Sequence, residues 1–124
     1  MKDQRPMNLN LFTIHFPLPA ITSILHRISG VILFLCIPFM LWALDASLGS
    51  YQDFDTITAF LAAPLIKFVF WLLFTAFSYH FIAGIRHLLM DIHIGDELKS
   101  GRIGAVLVLI FTTIAAILAG VWLW

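Results

Sequence analysis

Four residues near the middle of the chain combine reactive side chains with a spacing that places them on one side of a helix. His80, Gly84, His87 and Asp91 follow one another at intervals of three or four residues. On an α-helix, residues separated in this way lie on the same face. Imidazole is a common metal ligand, and an ionisable group within an apolar membrane segment is costly to place there. This stripe therefore indicates a functional site.

The spacing of the stripe suits a haem that lies edge-on to the helix. His80 would bind the iron, and the missing side chain at Gly84 would leave room for the ring. His87 lies about 10 Å further along the axis, at 1.5 Å per residue, and would reach the propionates. A second interpretation is that His80 makes one hydrogen bond to a neighbouring helix and that Gly84 marks a close helix contact. The stripe alone leaves both interpretations open.

A second polar set, residues 22–30, opens the first long apolar segment. Ser23 and Arg27 are four residues apart and share one face of a helix, while His26 and Gly30 share an adjacent face. A hydroxyl donor and a guanidinium suit a small redox molecule with carbonyl oxygens, because they stabilise negative charge that develops there. Alternatively, Ser23 bonds to its own helix, and Arg27 extends to the membrane surface and sets the orientation.

The composition of the chain is that of a membrane protein. Of its 124 residues, 61% are hydrophobic and 11% are charged, which is too apolar for a soluble domain of this length. The formal net charge is zero, so no nucleic-acid partner is expected. Cys36 is the only cysteine, which excludes an internal disulfide and an iron–sulfur cluster held by this chain. No glycine-rich dinucleotide motif occurs, and no cleaved signal peptide is expected.

Three apolar segments are long enough to cross a bilayer, and they predict an all-α membrane protein with a single transmembrane domain. The predicted spans follow a polar lead-in and are residues 20–46, 61–91 and 103–124. Residues 45–60 and 91–102 are predicted to be polar loops. Pro19 suits the first turn of the first helix, and Pro38 is expected to kink that helix without breaking it.

The basic residues and tryptophans predict the orientation of these spans. Basic residues gather at the amino end, at the cytoplasmic mouths of the first two spans and in the second loop: Lys2, Arg5, Arg27, Arg86, Lys99 and Arg102. The first loop has only Lys67 at its edge, where it is expected to extend to the membrane surface. The tryptophans, Trp42, Trp71, Trp122 and Trp124, fall at the opposite ends. The positive-inside rule and the aromatic belt therefore place the amino end in the cytoplasm and the carboxyl end outside.

In their order and spacing, these motifs resemble those of the cytochrome b subunit of succinate dehydrogenase. That family is the larger of two small membrane anchors in respiratory complex II. The resemblance rests on Arg5-Pro6, on Ser23-Ile-Leu-His-Arg-Ile-Ser-Gly30, and on His80-x-x-x-Gly-Ile-Arg-His-Leu-x-x-Asp91. Together with the three-span layout, it covers essentially the whole chain.

The resemblance implies roles that the spacing alone does not give. By this resemblance, His80 is one axial ligand of haem b, and the other ligand comes from the second anchor subunit. His26, Arg27 and His87 lie near the haem propionates, and Ser23 and Arg27 belong to a ubiquinone site. The partner anchor and an iron–sulfur subunit complete that site. Succinate is oxidised on a separate flavoprotein subunit, so this chain has no complete active site of its own.

The resemblance also implies a location and leaves alternatives. The chain is expected in the bacterial cytoplasmic (inner) membrane, inside a multi-subunit helical bundle that serves electron transport and the tricarboxylic acid cycle. One alternative is an anchor of a quinol:fumarate reductase that runs the reverse reaction. Another is a non-redox channel or transporter subunit whose histidines relay protons. Asp91 is expected either to pair with Arg27 or Arg86 or to lie among lipid headgroups.

Overall fold

The computed structural model describes residues 15–124, which fold into four α-helices. They are Leu18–Ser47 (α1), Tyr51–Ala62 (α2), Pro64–Asp91 (α3) and Leu98–Leu123 (α4). Helices α1, α3 and α4 are each long and apolar enough to cross a membrane. The predicted all-α membrane fold with three spans is therefore confirmed. The motif Arg5-Pro6 and the basic residue Lys2 lie outside the described residues.

Prolines begin two of the spanning helices. Pro17 is the N-cap of α1 with an extended backbone, and Pro19 follows in the first turn. Pro64 stands at the start of α3 in the same way. A proline costs little at these positions because the first N–H groups of a helix have no partner within it. Pro38 lies inside α1, and the helix continues through it to Ser47, so the prediction that Pro38 does not break the helix is confirmed, while the predicted kink stays a prediction.

The prediction of a loop over residues 45–60 is wrong. Helix α1 extends to Ser47, and a separate helix of 12 residues, α2, begins at Tyr51. The Ser50 hydroxyl accepts a hydrogen bond from the Asp53 N–H at 3.1 Å and donates one to the Asp53 carboxylate at 2.6 Å. These bonds cap α2 at its amino end, and polar residues that indicated a loop, such as Gln52, Asp53 and Asp55, lie in its first turns. Because α2 ends at Ala62, the second span begins at Pro64 rather than at residue 61.

Helix α4 begins at Leu98, ahead of the predicted start at residue 103, so its polar first turn projects beyond the apolar span. The connection from α3 is correspondingly short. His93 has a positive φ of 61°, and the N–H groups of His93 and Ile94 donate to the carbonyls of Met90 and Leu89 at 3.0 and 2.9 Å. This pattern is a Schellman motif, which ends a helix and reverses the chain. Helices α3 and α4 are therefore tightly joined antiparallel neighbours.

Small residues and two long side chains that carry N–H donors hold α3 against α4. Ala83 and Ala105 are almost fully buried, which lets the two backbones approach closely. At one end, the Trp71 indole donates to the Ala116 carbonyl at 2.7 Å. Near it, the Lys67 ammonium donates to the Leu123 carbonyl at 3.2 Å. The partial negative charge at the carboxyl end of α4 also attracts this cation. Lys67 was expected only to extend to the membrane surface. In the structure it is also hydrogen-bonded to α4.

Most of the surface of each spanning helix faces outward. Within the most apolar stretch of α1, α3 and α4, only 6%, 11% and 17% of the residues are buried inside the chain. Large side chains such as Phe34, Leu35 and Phe81 are more than half exposed. An apolar surface of this extent suits lipid and the helices of other subunits. The few buried side chains are concentrated where α3 meets α1 and α4.

Candidate functional site

Three histidines from α1 and α3 stack on one another in the structure. The His26 ring on α1 lies between the two rings from α3, with its centroid 4.2 Å from that of His80 and 4.8 Å from that of His87. The ring planes differ by 13° and 19°, so the stack is nearly parallel. We call His80, His26 and His87 the histidine ladder. The antiparallel packing of α1 on α3 therefore brings the two predicted polar sets into one site.

The His80 ring is held on one side by α1. Its Nδ1 lies 3.1 Å from the Ser29 hydroxyl and 3.1 Å from the His26 carbonyl. The ring lies directly over Gly30, because a Cβ added there would stand 2.9 Å from His80 Cε1. Within residues 15–124, no hydrogen bond is made by His80 Nε2. The ring is therefore fixed through one nitrogen, and the other remains available to a ligand.

The His87 ring is fixed by two hydrogen bonds, one that it donates and one that it accepts. Its Nδ1 lies 2.7 Å from the Ala83 carbonyl, and its Nε2 lies 3.3 Å from the Ser23 hydroxyl. A carbonyl only accepts, so Nδ1 carries the hydrogen, and Nε2 of the neutral ring accepts from Ser23. The Ser23 side chain is thus oriented by His87 across the interface between α1 and α3. The structure therefore does not show the alternative in which the Ser23 hydroxyl bonds to its own helix.

Two glycines allow the rings of the ladder to approach the helix backbones. Gly30 accommodates His80, as described above, and Gly84 faces His26, where an added Cβ would stand 3.5 Å from His26 Nε2. The space at Gly84 is therefore occupied by an imidazole from α1. Gly84 contributes to the site by seating His26, and the contact at Gly30 is the tighter of the two.

Arg27 and Asp91 lie at the edge of the site. Both residues are exposed. Neither forms a hydrogen bond or ion pair with any of residues 15–124, where the one salt bridge joins His93 to Asp96 at 3.0 Å. The alternative in which Asp91 pairs with Arg27 or Arg86 is therefore not formed, and its exposed position agrees with the headgroup alternative. Arg27 follows Ser23 by one turn of α1 and keeps its guanidinium accessible.

Arg86 belongs to a different contact from the ladder. It is 8% exposed, and its Nη2 donates to the Gly101 carbonyl at 3.2 Å. Its side chain packs against Gly104 of α4, and its Nε is buried with no partner among the described residues. Helix α3 thus presents the ladder to α1 and Arg86 to α4. From the sequence, Arg86 was placed at the cytoplasmic end of the second span. Gly101 and Gly104 on α4, which leave room for its side chain, were the signal for its burial.

Sequence reasoning did not single out Ser29 or Tyr79 as site residues. Ser29 contacts His80, and the Tyr79 hydroxyl donates to the Thr22 carbonyl at 2.7 Å, joining α3 to α1 beside the ladder. Ser29 stands within the same polar set as Ser23 and His26, which was the available signal. Its partner was not predictable from one helix, because the contact depends on the register between α1 and α3.

The donors in this site suit a metal that is already held by another ligand set. Among residues 15–124, no group of three or more His, Cys, Asp or Glu side chains could hold a bare metal ion. His80 offers a single Nε2 whose opposite nitrogen is bonded to oxygen atoms of α1. One oriented imidazole beside an apolar helix surface is what a macrocycle-bound iron requires of one protein chain. The residues present therefore fit one axial side of a haem.

Comparison with known proteins gives consistent matches over most or all of the chain. The family model described as succinate dehydrogenase/fumarate reductase transmembrane subunit matches residues 1–119. A succinate dehydrogenase cytochrome b556 subunit of Coxiella burnetii is 43% identical, with 100% of both chains covered. The proteins of the same name from Paracoccus denitrificans and Rickettsia felis are 31% and 32% identical, each with 82% of this chain and 78% of the relative covered.

Proposed function

Because this chain belongs to the succinate dehydrogenase/fumarate reductase transmembrane subunit family, we propose that it anchors the complex, binds haem b and helps to form a ubiquinone site. As a member of that family it is a multi-pass membrane subunit of an oxidoreductase. The relatives described above are named as subunits of succinate dehydrogenase, and we propose succinate oxidation as the reaction of the complex. The proposal concerns the two ligand sites and the residues that form them.

The haem assignment rests on one observation: the Nε2 of His80 makes no hydrogen bond within residues 15–124, and α1 holds the ring through Nδ1. We assign His80 as one axial ligand of the iron. The second ligand would come from another anchor subunit, since His26 lies face to face on His80 itself and both ring nitrogens of His87 are hydrogen-bonded. A haem bound there supplies a one-electron redox centre. The protein's part is to hold the ligand ring in place and to keep the surroundings apolar.

The propionate side of the haem is assigned to His26, Arg27 and His87. These residues lie toward the predicted cytoplasmic end of α1 and α3, beyond His80. The two imidazoles stack there, and the Arg27 guanidinium is exposed and makes no ion pair within residues 15–124. The Arg27 cation and a ring N–H of His26 would offset carboxylate charge there, while His87, whose ring nitrogens are both hydrogen-bonded, would support His26 by stacking on it. Gly84 supports this arrangement by seating the His26 ring.

The quinone site is assigned to Ser23 and Arg27, one turn apart on α1. The structure orients the Ser23 hydroxyl toward His87, and Arg27 remains accessible beside it. Reduction of a quinone places negative charge on its carbonyl oxygens before protons arrive. If the Ser23 hydroxyl turns its hydrogen from His87 Nε2 to a quinone oxygen, that hydroxyl and the guanidinium stabilise the charge more than they stabilise the neutral quinone. The remainder of the site would come from the partner anchor and the iron–sulfur subunit.

The proposed assembly contains a flavoprotein subunit, an iron–sulfur subunit and a second small anchor in the bacterial inner membrane. The wide apolar surface of α1, α3 and α4 supports helix contacts with that anchor and with lipid. Succinate would be oxidised on the flavoprotein, and electrons would pass through the iron–sulfur subunit to quinone at the cytoplasmic face. This chain alone therefore has no complete active site.

The proposal is tested by the visible spectrum of the intact purified complex. Addition of succinate or dithionite should produce a b-type absorption band, and the band should co-purify with this chain. The reason is that a low-spin haem with two imidazole ligands changes its absorption on reduction. A complex that contains this chain and remains colourless in that region would contradict the proposal and favour the channel or transporter alternative.

The proposed orientation is tested with two single cysteines in a Cys36→Ser background. Tyr51 and Leu98 are 94% and 96% exposed, so Tyr51→Cys and Leu98→Cys should both be accessible to reagents from their own side of the membrane. A membrane-impermeant thiol reagent on whole cells should label position 51 and spare position 98. Inverted vesicles should give the reverse pattern. Labelling of position 98 alone on whole cells would overturn the assignment of the cytoplasmic face.

A further inference from the structure

We propose that Ser29 is a positioning residue that fixes the tautomer and the orientation of His80. The hydroxyl of Ser29, together with the carbonyl of His26, holds the hydrogen of His80 on Nδ1. The lone pair of the ring is then on Nε2, the nitrogen that we propose binds the iron. This inference rests on the proposed haem function and adds a residue that the assignment of ligands did not include.

Three contacts carry the inference, and they share their atoms. The Ser29 hydroxyl donates to the His26 carbonyl at 2.8 Å. Its oxygen lies 3.1 Å from His80 Nδ1, and the same Nδ1 lies 3.1 Å from the His26 carbonyl. Ser29 is 5% exposed, so water does not compete strongly for these bonds.

One arrangement of hydrogens satisfies all three contacts. If Nδ1 carries the hydrogen, it donates to both oxygen atoms, and the Ser29 hydroxyl is free to donate to the His26 carbonyl. If Nε2 carried it instead, the lone pair of Nδ1 would face the carbonyl lone pairs at 3.1 Å. The Ser29 hydrogen would also be drawn away from the His26 carbonyl to Nδ1. The geometry therefore selects the tautomer with Nε2 as the acceptor and iron ligand.

The neighbouring glycine restricts the ring further. A Cβ at position 30 would stand 2.9 Å from His80 Cε1, a distance that real Cβ atoms almost never show. The ring therefore lies against the backbone of α1, with Ser29 bonded to one edge and His26 stacked on one side. Ser29 and Gly30 are adjacent in the sequence, so a single turn of α1 supplies both the bond and the space.

A hydrogen bond from Nδ1 to oxygen has a chemical consequence at Nε2. It makes the imidazole a better electron donor and removes the freedom of the ring to turn away from the iron. Loss of such an outer partner typically lowers metal affinity by about 10–100-fold. Weaker donation also disfavours the oxidised iron more than the reduced iron, so the midpoint potential of the haem should rise.

The test compares Ser29→Ala and Ser29→Cys in the intact complex. Alanine removes the hydroxyl, while cysteine keeps a side chain of similar shape that is a weak hydrogen-bond former. Both variants should release haem to an excess of a haem-scavenging protein at least about tenfold faster than the unchanged complex. Both should also show a higher midpoint potential in a redox titration.

Ser47→Ala is the matched control. Ser47 lies on the same helix and makes the same kind of bond, to the Leu44 carbonyl at 2.7 Å, but contacts no histidine. This variant should retain both the haem release rate and the potential. If Ser29→Ala does not assemble, Ser29→Cys decides the question alone.

The outcomes separate this inference from the function on which it rests. Unchanged haem release and unchanged potential in Ser29→Cys would overturn the positioning role of Ser29, whether or not His80 is the ligand. A complex with no haem would instead overturn the proposed function itself. A higher potential and faster release in the Ser29 variants, with Ser47→Ala unaffected, would support the inference, since a merely structural loss would not move the potential in a fixed direction.

Discussion

Replacing His80 with leucine is expected to abolish or shift the b-type spectrum of the assembled complex. Neutral imidazole is a strong haem ligand, whereas leucine has no atom that can bind iron. The substitution also removes the stacking on His26, but Ser29 keeps its own bond to the His26 carbonyl at 2.8 Å. The measurement is the reduced-minus-oxidised absorption spectrum, together with the haem content per complex. A shifted spectrum would also support ligation by His80, since another nearby ligand can replace it.

Two further histidines provide controls for this result. His87→Leu should perturb the spectrum less, because His87 bonds to Ala83 and Ser23 and is proposed to lie near the propionates. His93→Leu should leave the spectrum unchanged, because that ring is exposed in the connection between α3 and α4. If the spectrum and potential of His80→Leu were those of the unchanged complex, His80 would not be an axial ligand.

The second large effect is expected on quinone reduction. Ser23→Ala and Arg27→Ala should each slow electron transfer from succinate to ubiquinone by at least about tenfold, which corresponds to about 1.36 kcal/mol. Removal of one donor from a well-buried site typically costs about 2.7–4 kcal/mol. A smaller loss is expected here, because Arg27 is exposed and both water and salt screen its charge.

The two parts of the reaction can be measured separately. Succinate oxidation with a water-soluble dye that accepts electrons upstream should remain near normal, because the flavin chemistry is on another chain. Arg102→Ala is a matched control for Arg27, since Arg102 is also exposed, lies on the same predicted face and stands outside the ladder. Equal loss of both activities would indicate damaged assembly. Unchanged ubiquinone reduction in both Ser23→Ala and Arg27→Ala would place the quinone site elsewhere.

The course of the helices could be predicted from the sequence to different degrees. The three spans follow from apolar length, because a bilayer core requires about 20 apolar residues in a helix. Helix α2 was missed because polar residues such as Gln52, Asp53 and Asp55 crowd its first turns, although Ser50 and Asp53 carry the spacing of a helix cap. A helix can also extend beyond the apolar segment that spans the membrane. Helix α4 begins at Leu98, within polar sequence that precedes the predicted span.

The sequence by itself also determined which residue types are available to the site. It placed His80, Gly84 and His87 on one face of α3, and Ser23, His26 and Arg27 at the same end of α1, because helical periodicity depends only on spacing. It indicated a haem and quinone chemistry and the family to which the chain belongs. These features are local, so they do not depend on how one helix rests on another.

The partners of those residues were decided only by the tertiary structure. His26 lies between His80 and His87, Ser29 bonds to His80, and Ser23 bonds to His87 rather than to its own helix. Each contact joins residues more than 50 positions apart, and a rotation of α1 by one residue would turn its side chains about 100° away from α3. Packing fixes the register between α1 and α3. For example, the His80 ring lies against Gly30 so closely that an added Cβ there would crowd it. Helical spacing contains no information about that register.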